Sequence, residues 1–522
     1  MANTSSSSNS ATIGFEQQIW AAADILRGNM DAAEYKHVVL GLIFLKYISD
    51  KFDERYRELK EEDDDVEDKD AYTEVNVFFV PPIARWEVIS KWAHKTGKDE
   101  EYEPETAHDI GTIIDRAMRA IEKENKRLKD ILPKNYARDE LDKRRLGNVV
   151  DIFTNVKMIE HGADKDILGR TYEYCLAKFA EQEGKRAGEF YTPSCVVRTL
   201  VEVLQPFKGR VYDPCCGSGG MFVQSTDFVR NHSGNIGNLP IYGQDANPTT
   251  RKMALMNLAI RGIEADLGGY YADTFSNDLH STLKADFILA NPPFNLSDWN
   301  DGSLNNDQRW KYGTPPSGNA NFAWLQHMIY HLAPNGKIGM VLANGSLSSQ
   351  SGGEGEIRRK IVEDDLVEGI IAMPTQLFFT TQIPVSLWFI SRNKKQKGKT
   401  LFIDARKMGT MVNRRLRELS YRNEDGNDGD ILKIATTFEA FQNGTLVDVK
   451  GFCAVVSTED IAKQDYILTP GRYVGIEEQE DDGEPFDEKM TRLTSELSGM
   501  FKRSHELEEE IRTRLGAIGF EV

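Results

Sequence analysis

Apolar residues recur with a helical period over the first third of the chain. Between residues 14 and 60, hydrophobic side chains are spaced three and four positions apart, as in helices that pack one face on a core. The two apolar stripes are Phe15, Ile19, Trp20, Ala23 and Leu26, then Val38, Leu42, Leu45, Ile48 and Phe52. More helical sequence runs from His108 to Leu132, where Pro133 ends it. We therefore predict a helical domain over 13–165, and nothing in it indicates chemistry.

From about residue 195 short apolar runs alternate with helical segments. Helices are predicted at Val196–Leu204, Thr250–Arg261 and 318–331. Strands are predicted at 210–213, 239–245, 271–273, 287–290, 336–342, 370–379 and 385–390. Strands that alternate with helices are typical of an α/β fold built on a largely parallel sheet. We assign residues 166–475 to one α/β domain.

The last segment of the chain has a heptad-like pattern. Apolar residues follow 4-3 spacing, with only Ser504 weak in the frame: Phe486, Met490, Leu493, Leu497, Met500, Leu507 and Ile511. This spacing predicts a coiled coil or a long docking helix. The acidic, glycine-containing stretch Glu477–Glu484 is typical of a flexible linker. Residues 476–522 are thus a linker and a helix, which docks on a partner or folds back on its own domain.

Composition narrows the class of protein. A length of 522 residues with 40% hydrophobic and 28% charged residues indicates a soluble protein of several domains. The longest apolar run, Val38–Leu45, is too short to cross a membrane. Residues 1–12 lack the features of a secretory signal, so we expect a disordered tail there. The five cysteines form no CxxC pair, which favours free thiols in the cytoplasm and no metal site.

The net charge of −18 bears on possible partners. A protein that binds DNA unaided usually carries a basic balance, because the phosphates dominate the affinity. Either the substrate is not a nucleic acid, or a local basic patch or a partner protein supplies the affinity for DNA.

The segment Asp286–Phe294 carries the most specific chemistry. An apolar strand is followed by Asn291, Pro292, Pro293 and Phe294, and the two prolines force the chain out of the sheet. The resulting loop presents an amide, a backbone carbonyl and an aromatic ring at the carboxyl end of a strand, where open α/β sheets bind ligands. The alternative is an ordinary Pro-Pro turn after a strand.

These groups suit methylation of an exocyclic amino group. Such a nitrogen is a poor nucleophile because its lone pair is delocalised into the ring. If the Asn291 side-chain oxygen and the Pro292 carbonyl accept its hydrogens, the nitrogen becomes more tetrahedral and more nucleophilic. Phe294 can stack on the ring and hold it in line with a methyl donor, so positioning and preorganised acceptors carry the catalysis.

A second candidate element precedes the predicted helix Val196–Leu204. It comprises Glu189, Phe190, Tyr191, Thr192, Pro193 and Ser194. Thr192 followed by Pro193 predicts a helix start, with Thr at the N-cap and Pro at the first helical position. On local grounds a plain capped loop is as good an interpretation as a ligand contact.

A glycine-rich turn follows the predicted strand that ends at Asp213. Its candidate ligand-binding residues are Gly217, Ser218, Gly219 and Gly220, whose backbone lets a ligand come close. Dinucleotide-binding folds also have such a turn, but the Gly-x-Gly-x-x-Gly pattern is missing here. The carboxylate of Asp213 suits a cationic amino group better than a pyrophosphate.

Two further acids end predicted strands. Asp245 stands at the end of the second strand, where α/β nucleotide sites bind ribose hydroxyls. Asp273 ends the third predicted strand and is a candidate for an adenine amino group. For each acid alone, a surface turn or a helix cap is an equal alternative.

In this order, the residues resemble those of S-adenosylmethionine-dependent adenine-N6 methyltransferases, which have a Rossmann-like domain. The all-helical N-terminal domain and the chain length look, more narrowly, like the modification subunit (HsdM) of type I restriction-modification systems. The resemblance implies that Glu189–Ser194 and Ser218–Gly220 contact the methionine end of the cofactor. It implies roles for the three acids as well: Asp213 at its ammonium, Asp245 at its ribose and Asp273 at its adenine.

The resemblance also implies how such a protein works. Asn291, Pro292 and Phe294 would bind the target adenine, which must leave double-stranded DNA by base flipping. A separate specificity subunit, typically one per two modification subunits, would recognise the sequence, and a restriction or translocase subunit could join them. The family often has small residues where this chain has Cys215 and Cys216. Cys215 is best interpreted as a packed residue rather than a nucleophile, because a cytosine-C5 enzyme carries its cysteine at the loop that Asn291 occupies here.

Alternatives to an adenine-N6 enzyme stay open. An Asn-Pro-Pro-aromatic loop suits any planar amino group, so cytosine-N4 or protein-glutamine methylation is possible. A cofactor-binding scaffold with little catalysis is a third hypothesis. Phe378 or Phe379 could form the far wall of the base pocket, although a core position is the commoner use of phenylalanine.

Overall fold

The computed structural model describes most of the chain. Described are Trp20, 24–26, 32–155, Tyr172, 174–179, 191–232, 234–378, 383–414, 416–423, 426–476 and 486–517. The chain divides into two compact units, Met1–Val474 and Gly475–Val522. Four predicted features lie outside the described residues: the N-terminal tail, the first apolar stripe except Trp20 and Leu26, the domain boundary at residue 165 and the linker Glu477–Glu484.

The N-terminal part of the larger unit is built mainly from helices. These are α1 (Ala32–Glu61), α2 (Asp70–Thr73), α3 (Trp86–Lys91), α4 (Ile110–Glu124) and α5 (Lys143–Thr154), with one antiparallel pair of strands, β1 (Gly97–Asp99) and β2 (Glu103–His108). Asp109 begins α4 with a capping box, in which its side chain and that of Thr112 each bond the other's backbone N–H. The strand pair lies against α4 through a buried ion pair of 2.7 Å between Arg116 and Asp99.

A nine-stranded mixed sheet forms the centre of the larger unit. Its strands are β3 (Val211–Asp213), β4 (Ile241–Gly243), β5 (Ala265–Asp266), β6 (Ala285–Ala290), β7 (Leu332–Ala343), β8 (Val367–Ala372), β9 (Val385–Ser391), β10 (Lys399–Asp404) and β13 (Cys453–Ser457). A separate pair is formed by β11 (Thr410–Met411) and β12 (Arg417–Glu418). The strand order in the large sheet is β13-β10-β8-β9-β7-β6-β3-β4-β5. All run in one direction except β9 and β13. The carboxyl ends of the parallel strands therefore meet at one edge of the sheet.

Helices cover both faces of this sheet. One face packs against α6 (Ser194–Leu204), α7 (Gly220–Asn231), α8 (Pro248–Ile260) and α11 (Asp430–Gln442). The other packs against α9 (Asn321–His331), α10 (Glu354–Glu363) and α12 (Thr458–Ala462). Neighbouring strand residues enter opposite cores, as Ile288 and Leu289 do, because side chains alternate along a strand. The predicted α/β class is thus confirmed.

Helix α8 connects the sheet to the N-terminal helices. Met253, Met256 and Ile260 project from it into the hydrophobic cluster of the N-terminal part. The hydroxyl of Tyr172 donates to the Met253 carbonyl at 3.4 Å. The N-terminal helices therefore pack directly on the helix that follows β4.

Two local predictions were wrong. Residues 271–273 form no strand, because Asp273 is bonded into a turn, and the strand beside β4 is β5 at Ala265–Asp266. Thr192 does not cap the helix after it: the helix begins at Ser194, Pro193 is the N-cap residue, and no side chain bonds there. The Thr192 hydroxyl is instead bonded to Asn291, a partner that local sequence does not reveal.

The smaller unit contains one long helix, α13 (Phe486–Ala517), as the heptad-like pattern predicts. Apolar side chains on it are exposed, namely Met490, Leu493, Leu497, Met500, Phe501, Leu507 and Ile511. None of the helices in the described part of the chain combines the length and the apolar character that crossing a membrane requires.

Candidate active site

A cleft of about 310 Å³ opens at the edge where the parallel strands end. Its lining combines three of the predicted elements: Tyr191, Thr192, Asp213, Cys215, Cys216, Gly217, Ser218, Gly220, Met221 and Asn291. A second cleft of about 330 Å³ shares Tyr191, Thr192, Ser218 and Gly220 with the first and adds Ser194. Residues far apart in sequence thus meet at one place. Glu189 and Phe190 lie outside the described residues.

The glycine turn connects β3 to α7 in a conformation that needs glycine. Gly219 is the N-cap residue of α7 and has φ of +80°, a left-handed value that strains any residue with a side chain. The buried Asn257 of α8 donates its amide to the Ser218 carbonyl at 2.8 Å and fixes the turn from below. A Cβ added to Gly220 would meet no atom within 4 Å, so this part of the backbone borders open space.

Asp213 is a buried acid without a protein cation. Its side chain is 1% exposed, and Oδ1 accepts a hydrogen bond from the Cys215 backbone N–H at 3.0 Å. Burial raises the pKa of Asp213 to about 7, and the nearby Asp245 adds to the rise. In the described part of the chain, no lysine or arginine offsets the burial of its charge. The site therefore lacks a positive group that a ligand could supply.

Asp245 follows β4 and supports the glycine turn. Its Oδ2 accepts from the Gly217 N–H at 3.1 Å, and Oδ1 accepts from the Asn247 N–H at 2.8 Å. Asp245 does not line either cleft, but Gly217, which it holds, does.

Gln244, which no motif in the sequence singles out, holds the loop beside the cleft. It is fully buried, and its amide donates to the carbonyls of Ala272 at 3.0 Å and Asn277 at 2.8 Å. Its Oε1 accepts from the Leu279 N–H at 3.0 Å. A polar residue within a predicted strand end was the only signal in the sequence, because all the partners of its side chain lie about 30 residues downstream.

Asp273 caps a turn in this loop. Its Oδ1 accepts from the N–H groups of Phe275 and Ser276 at 3.1 and 2.8 Å and from the Ser276 hydroxyl at 2.9 Å. The side chain is exposed and lines neither cleft. The structure thus gives Asp273 the turn-capping contacts that the sequence left open as an alternative, and Oδ2 is the atom left for a ligand.

Asn291 presents an acceptor to the cleft. Its Nδ2 donates to the Thr192 hydroxyl at 3.0 Å, and its Oδ1 is buried without a hydrogen-bond partner. A buried acceptor without a donor costs about 1–3 kcal/mol. A ligand that brings an N–H group to Oδ1 would recover this free energy.

The loop after Asn291 is clamped by a second residue that the sequence analysis missed. Asn295 has φ of +53°, and its backbone N–H and side-chain oxygen both bond the buried amide of Asn321, at 3.1 and 2.9 Å. Phe294 is partly exposed and meets Phe378 edge-on, with ring centroids 6.0 Å apart. Phe378 is buried in the core and also borders Phe294, while Phe379 lies outside the described residues. Pro292 and Pro293 form the bend between Asn291 and Phe294, and they line neither cleft.

One cluster of the described residues has the spacing of metal ligands: Asp278, His327 and His331. His331 Nδ1 lies 2.9 Å from the Leu283 carbonyl oxygen, and Nε2 lies 2.8 Å from Asp278 Oδ2, so both ring nitrogens already have protein partners. Burial would raise the pKa of Asp278, but the hydrogen bond from His331 lowers it to about 2. His327 accepts from Arg309 at 3.2 Å. These contacts indicate an internal hydrogen-bonded cluster rather than a metal site.

Comparison with known proteins gives a consistent result. Residues 163–482 match the family model described as N-6 DNA Methylase, and residues 15–153 match that of the HsdM N-terminal domain. The chain is 49% identical over 454 residues to the type I restriction enzyme HindI methylase subunit of Haemophilus influenzae, covering 85% of this chain and all of that one. It is 39% identical to the MjaIX methylase subunit of Methanocaldococcus jannaschii, covering 97% and 92% of the two chains.

Solved structures are similar over the same length. The methyltransferase subunit of a type I restriction-modification system from Streptococcus thermophilus has a TM-score of 0.72 and 25% identity, covering 88% of this chain and 99% of that one. A modification subunit of a putative type I restriction enzyme from Vibrio vulnificus has a TM-score of 0.58 at 20% identity, covering 85% and 93%, and shares the fold.

The buried charge of Asp213 predicts a pH-dependent effect on stability. Because its pKa rises from 3.8 to about 7 on folding, this carboxyl stabilises the fold while protonated, and the contribution is lost as the pH rises to about 7. Asp213→Asn should therefore raise the unfolding free energy of the cofactor-free protein. The gain should grow from about pH 4 to about pH 7 and then level off, at no more than about 4 kcal/mol.

Urea unfolding at a series of pH values measures this difference. Asp266→Asn, at an exposed position of β5, is the matched control and should change little at any pH. If Asp213→Asn raises the free energy of unfolding by the same amount at every pH, Asp213 does not carry a buried charge that titrates.

Proposed function

This chain belongs to the family of type I restriction enzyme methylase subunits, and on that premise we propose that its cleft transfers a methyl group from S-adenosylmethionine to N6 of adenine in DNA. The observation that carries the proposal is that one cleft joins the unpaired acid of β3 to the unsatisfied amide oxygen after β6. A cation site and an amino-group acceptor are the two ends that such a transfer needs.

The residues present fit S-adenosylmethionine. Asp213 would bind the ammonium group of the cofactor, since this carboxyl is buried and has no protein cation beside it. Asp245 would accept hydrogen bonds from the ribose hydroxyls. The backbone at Ser218–Gly220 and the residues Tyr191–Ser194 would surround the methionine end. Asp273 would bind the adenine through Oδ2, since its Oδ1 is bonded within the turn. When bound, the cofactor supplies a sulfonium methyl group to a nitrogen nucleophile.

The other end of the cleft would bind the target base. Asn291 Oδ1 and the Pro292 carbonyl accept the two hydrogens of the amino group, which localises the lone pair on nitrogen. Phe294 stacks on the base, and Phe378 supports Phe294 from behind. An adenine within double-stranded DNA cannot reach this loop, so the base must be flipped out.

Partners would supply what this chain lacks. With a net charge of −18, we propose that it relies on a specificity subunit for DNA affinity and sequence recognition, with two copies of this chain per specificity subunit. A restriction or translocase subunit is a further proposed partner. The exposed apolar side chains of α13 are the proposed docking surface for the specificity subunit. The five free cysteines fit action in the cytoplasm.

The first prediction tests the reaction and its dependence on a partner. The chain is expressed in cells without adenine methylation of their own, alone and together with its specificity subunit. Mass spectrometry of nucleosides should find N6-methyladenine only in the paired expression. Asn291→Ala should lower methylation at least about 100-fold, because an acceptor at the reacting nitrogen is lost. Cofactor binding by the variant should persist.

Each other outcome has a definite meaning. Methylation by the chain alone would contradict the dependence on a partner. Detection of N4-methylcytosine, or of methylated protein glutamine, without N6-methyladenine would show that cytosine or glutamine is the substrate instead of adenine. Full cofactor binding with no methylated product in either expression would favour a scaffold.

A second prediction concerns Thr192 as a positioning residue. Its hydroxyl accepts from Asn291 Nδ2, which turns Oδ1 toward the cleft. Thr192→Val removes this acceptor and should lower kcat about tenfold, the equivalent of one hydrogen bond. Thr192→Ser keeps the hydroxyl and should restore kcat, whereas a role in cofactor binding alone would appear in KM for the cofactor.

Thr199→Val is the matched control. Thr199 lies within α6, the helix that follows Thr192, and its hydroxyl donates to the Cys195 carbonyl in that helix, at 2.8 Å. If Thr192→Val and Thr199→Val reduce kcat equally, the positioning role of Thr192 is wrong.

A third prediction concerns α13. Deleting residues 485–522 should abolish copurification with the specificity subunit, because the exposed apolar side chains are lost. Cofactor binding should be unchanged, since Met1–Val474 forms a compact unit by itself. Leu493→Glu with Leu497→Glu should act like the deletion, while Ser495→Glu with Ser498→Glu serves as the control. Assembly that survives the deletion would refute the docking role.

A further inference from the structure

A short basic segment stands out in this acidic chain. Residues 405–422, which we name the basic hairpin, contain six basic residues and one acid, Glu418, whereas the whole chain has a net charge of −18. The segment includes the two short antiparallel strands β11 (Thr410–Met411) and β12 (Arg417–Glu418). Such a concentration of positive charge is the electrostatic signature of a surface for polyanions.

The topology of the sheet places the basic hairpin at the edge that carries the cleft. It follows β10 directly, and β10 runs parallel to β8. The Ala405 N–H donates to the Ala372 carbonyl at the end of β8, at 2.9 Å. The carboxyl ends of β3 and β6, which carry Asp213 and Asn291, lie at this same edge.

Contacts join the base of the hairpin to the walls of the site. The Arg417 N–H donates to the Gln376 carbonyl at 2.8 Å, two residues before Phe378, the ring that supports Phe294. On the other side, the guanidinium of Arg198 on α6 lies 3.4 Å from the ring centroid of Tyr421. The hairpin is therefore held beside the end of the cleft proposed for the base.

The basic side chains of the hairpin differ in their contacts and in their exposure. Arg417 donates to the carbonyls of Met408 at 3.1 Å and Gly409 at 2.9 Å and so closes the hairpin, while Arg406 pairs with Asp404 at 2.8 Å. Lys407 and Arg414 are exposed, and Val412 at the tip is 58% exposed. The described part of the hairpin thus presents the side chains of Lys407 and Arg414 at the protein surface.

We propose that the basic hairpin binds the sugar-phosphate backbone of the DNA next to the flipped adenine. The inference rests on the proposed function, because it assumes that the base enters at Asn291–Phe294. It gives this acidic chain a local contact with DNA of its own, in addition to the affinity that a specificity subunit supplies. Phosphate contacts fix the position of a duplex without reading its sequence, which suits a subunit that serves a separate recognition subunit.

The sheet offers a matched control at its opposite edge. Residues 392–399, between β9 and β10, are also rich in basic residues, and Lys395 and Lys397 there are exposed. Because β9 runs antiparallel and ends at the edge where β10 begins, these lysines lie away from the cleft. Removing two charges there changes the net charge by the same amount without touching the proposed contact.

The test measures DNA binding by the complex of this chain with its specificity subunit. Lys407→Gln with Arg414→Gln is compared with Lys395→Gln plus Lys397→Gln, using a fluorescent synthetic duplex and KCl from about 50 to about 200 mM. The hairpin variant should bind about tenfold more weakly at the lowest salt. Its plot of log K against log salt should lose about one unit of slope per lost contact. The control should match the unaltered complex, and Lys407→Arg with Arg414→Lys should keep both affinity and slope.

Three results would overturn the inference: equal binding by the hairpin and control variants, weaker binding with an unchanged salt slope, or a hairpin variant that no longer assembles, which would make the segment a protein interface. Methylation assayed in parallel separates this inference from the proposed function. A complex that binds DNA through the hairpin but forms no N6-methyladenine leaves the inference standing and refutes the reaction. If the complex forms N6-methyladenine but the hairpin variant binds DNA like the control, the reaction stands and the inference about the hairpin is refuted.

Discussion

The shared direction of seven strands is the constraint on which the site depends. Because β3, β4 and β6 are parallel neighbours, the residues that follow them are brought to one edge although up to about 80 residues separate them in sequence. Asp213, Asp245 and Asn291 are therefore positioned by the sheet rather than by contacts among themselves. The connections that close this edge are held by buried amides: Gln244 bonds the loop after β5, Asn257 the glycine turn, and Asn321 the loop after Phe294.

What local sequence could predict follows from the range of the interactions involved. The strand before Asn291 and the glycine turn after Asp213 are determined by neighbouring residues, an apolar run followed by prolines or glycines, and both were predicted. The cap at Thr192 was mispredicted because a partner 99 positions away takes its hydroxyl. Gln244 and Asn321 were missed for the same reason, since each bonds segments more than 20 residues away. The pair β1 and β2 has no apolar alternation, and a buried ion pair with α4 holds it instead.

The local charges near the cleft differ from the net charge of the chain, and each lies where the proposed function needs it. The buried acid Asp213 lies at the end of the cleft where a cation is proposed, and the exposed basic residues of 405–422 lie at the same edge of the sheet. The buried pair of Asp278 and His331 ties the loop beside the cleft to α9, the helix whose first residue, Asn321, holds the loop after Phe294. The loops on the cofactor side and on the base side are thus anchored to a common helix.

The unsatisfied Oδ1 of Asn291 also bears on how the enzyme stops. In the proposed binding of the target base, an unmodified amino group brings two hydrogens, one for Asn291 and one for the Pro292 carbonyl. Once a methyl group replaces one of them, the product can satisfy only one of the two acceptors, and the other is left buried at a cost of about 1–3 kcal/mol. With these proposed roles, the two acceptors that bind the substrate would favour release of the product and disfavour a second methylation of the same nitrogen. The number of hydrogen-bond donors on the amino group would thus distinguish the substrate from the methylated product.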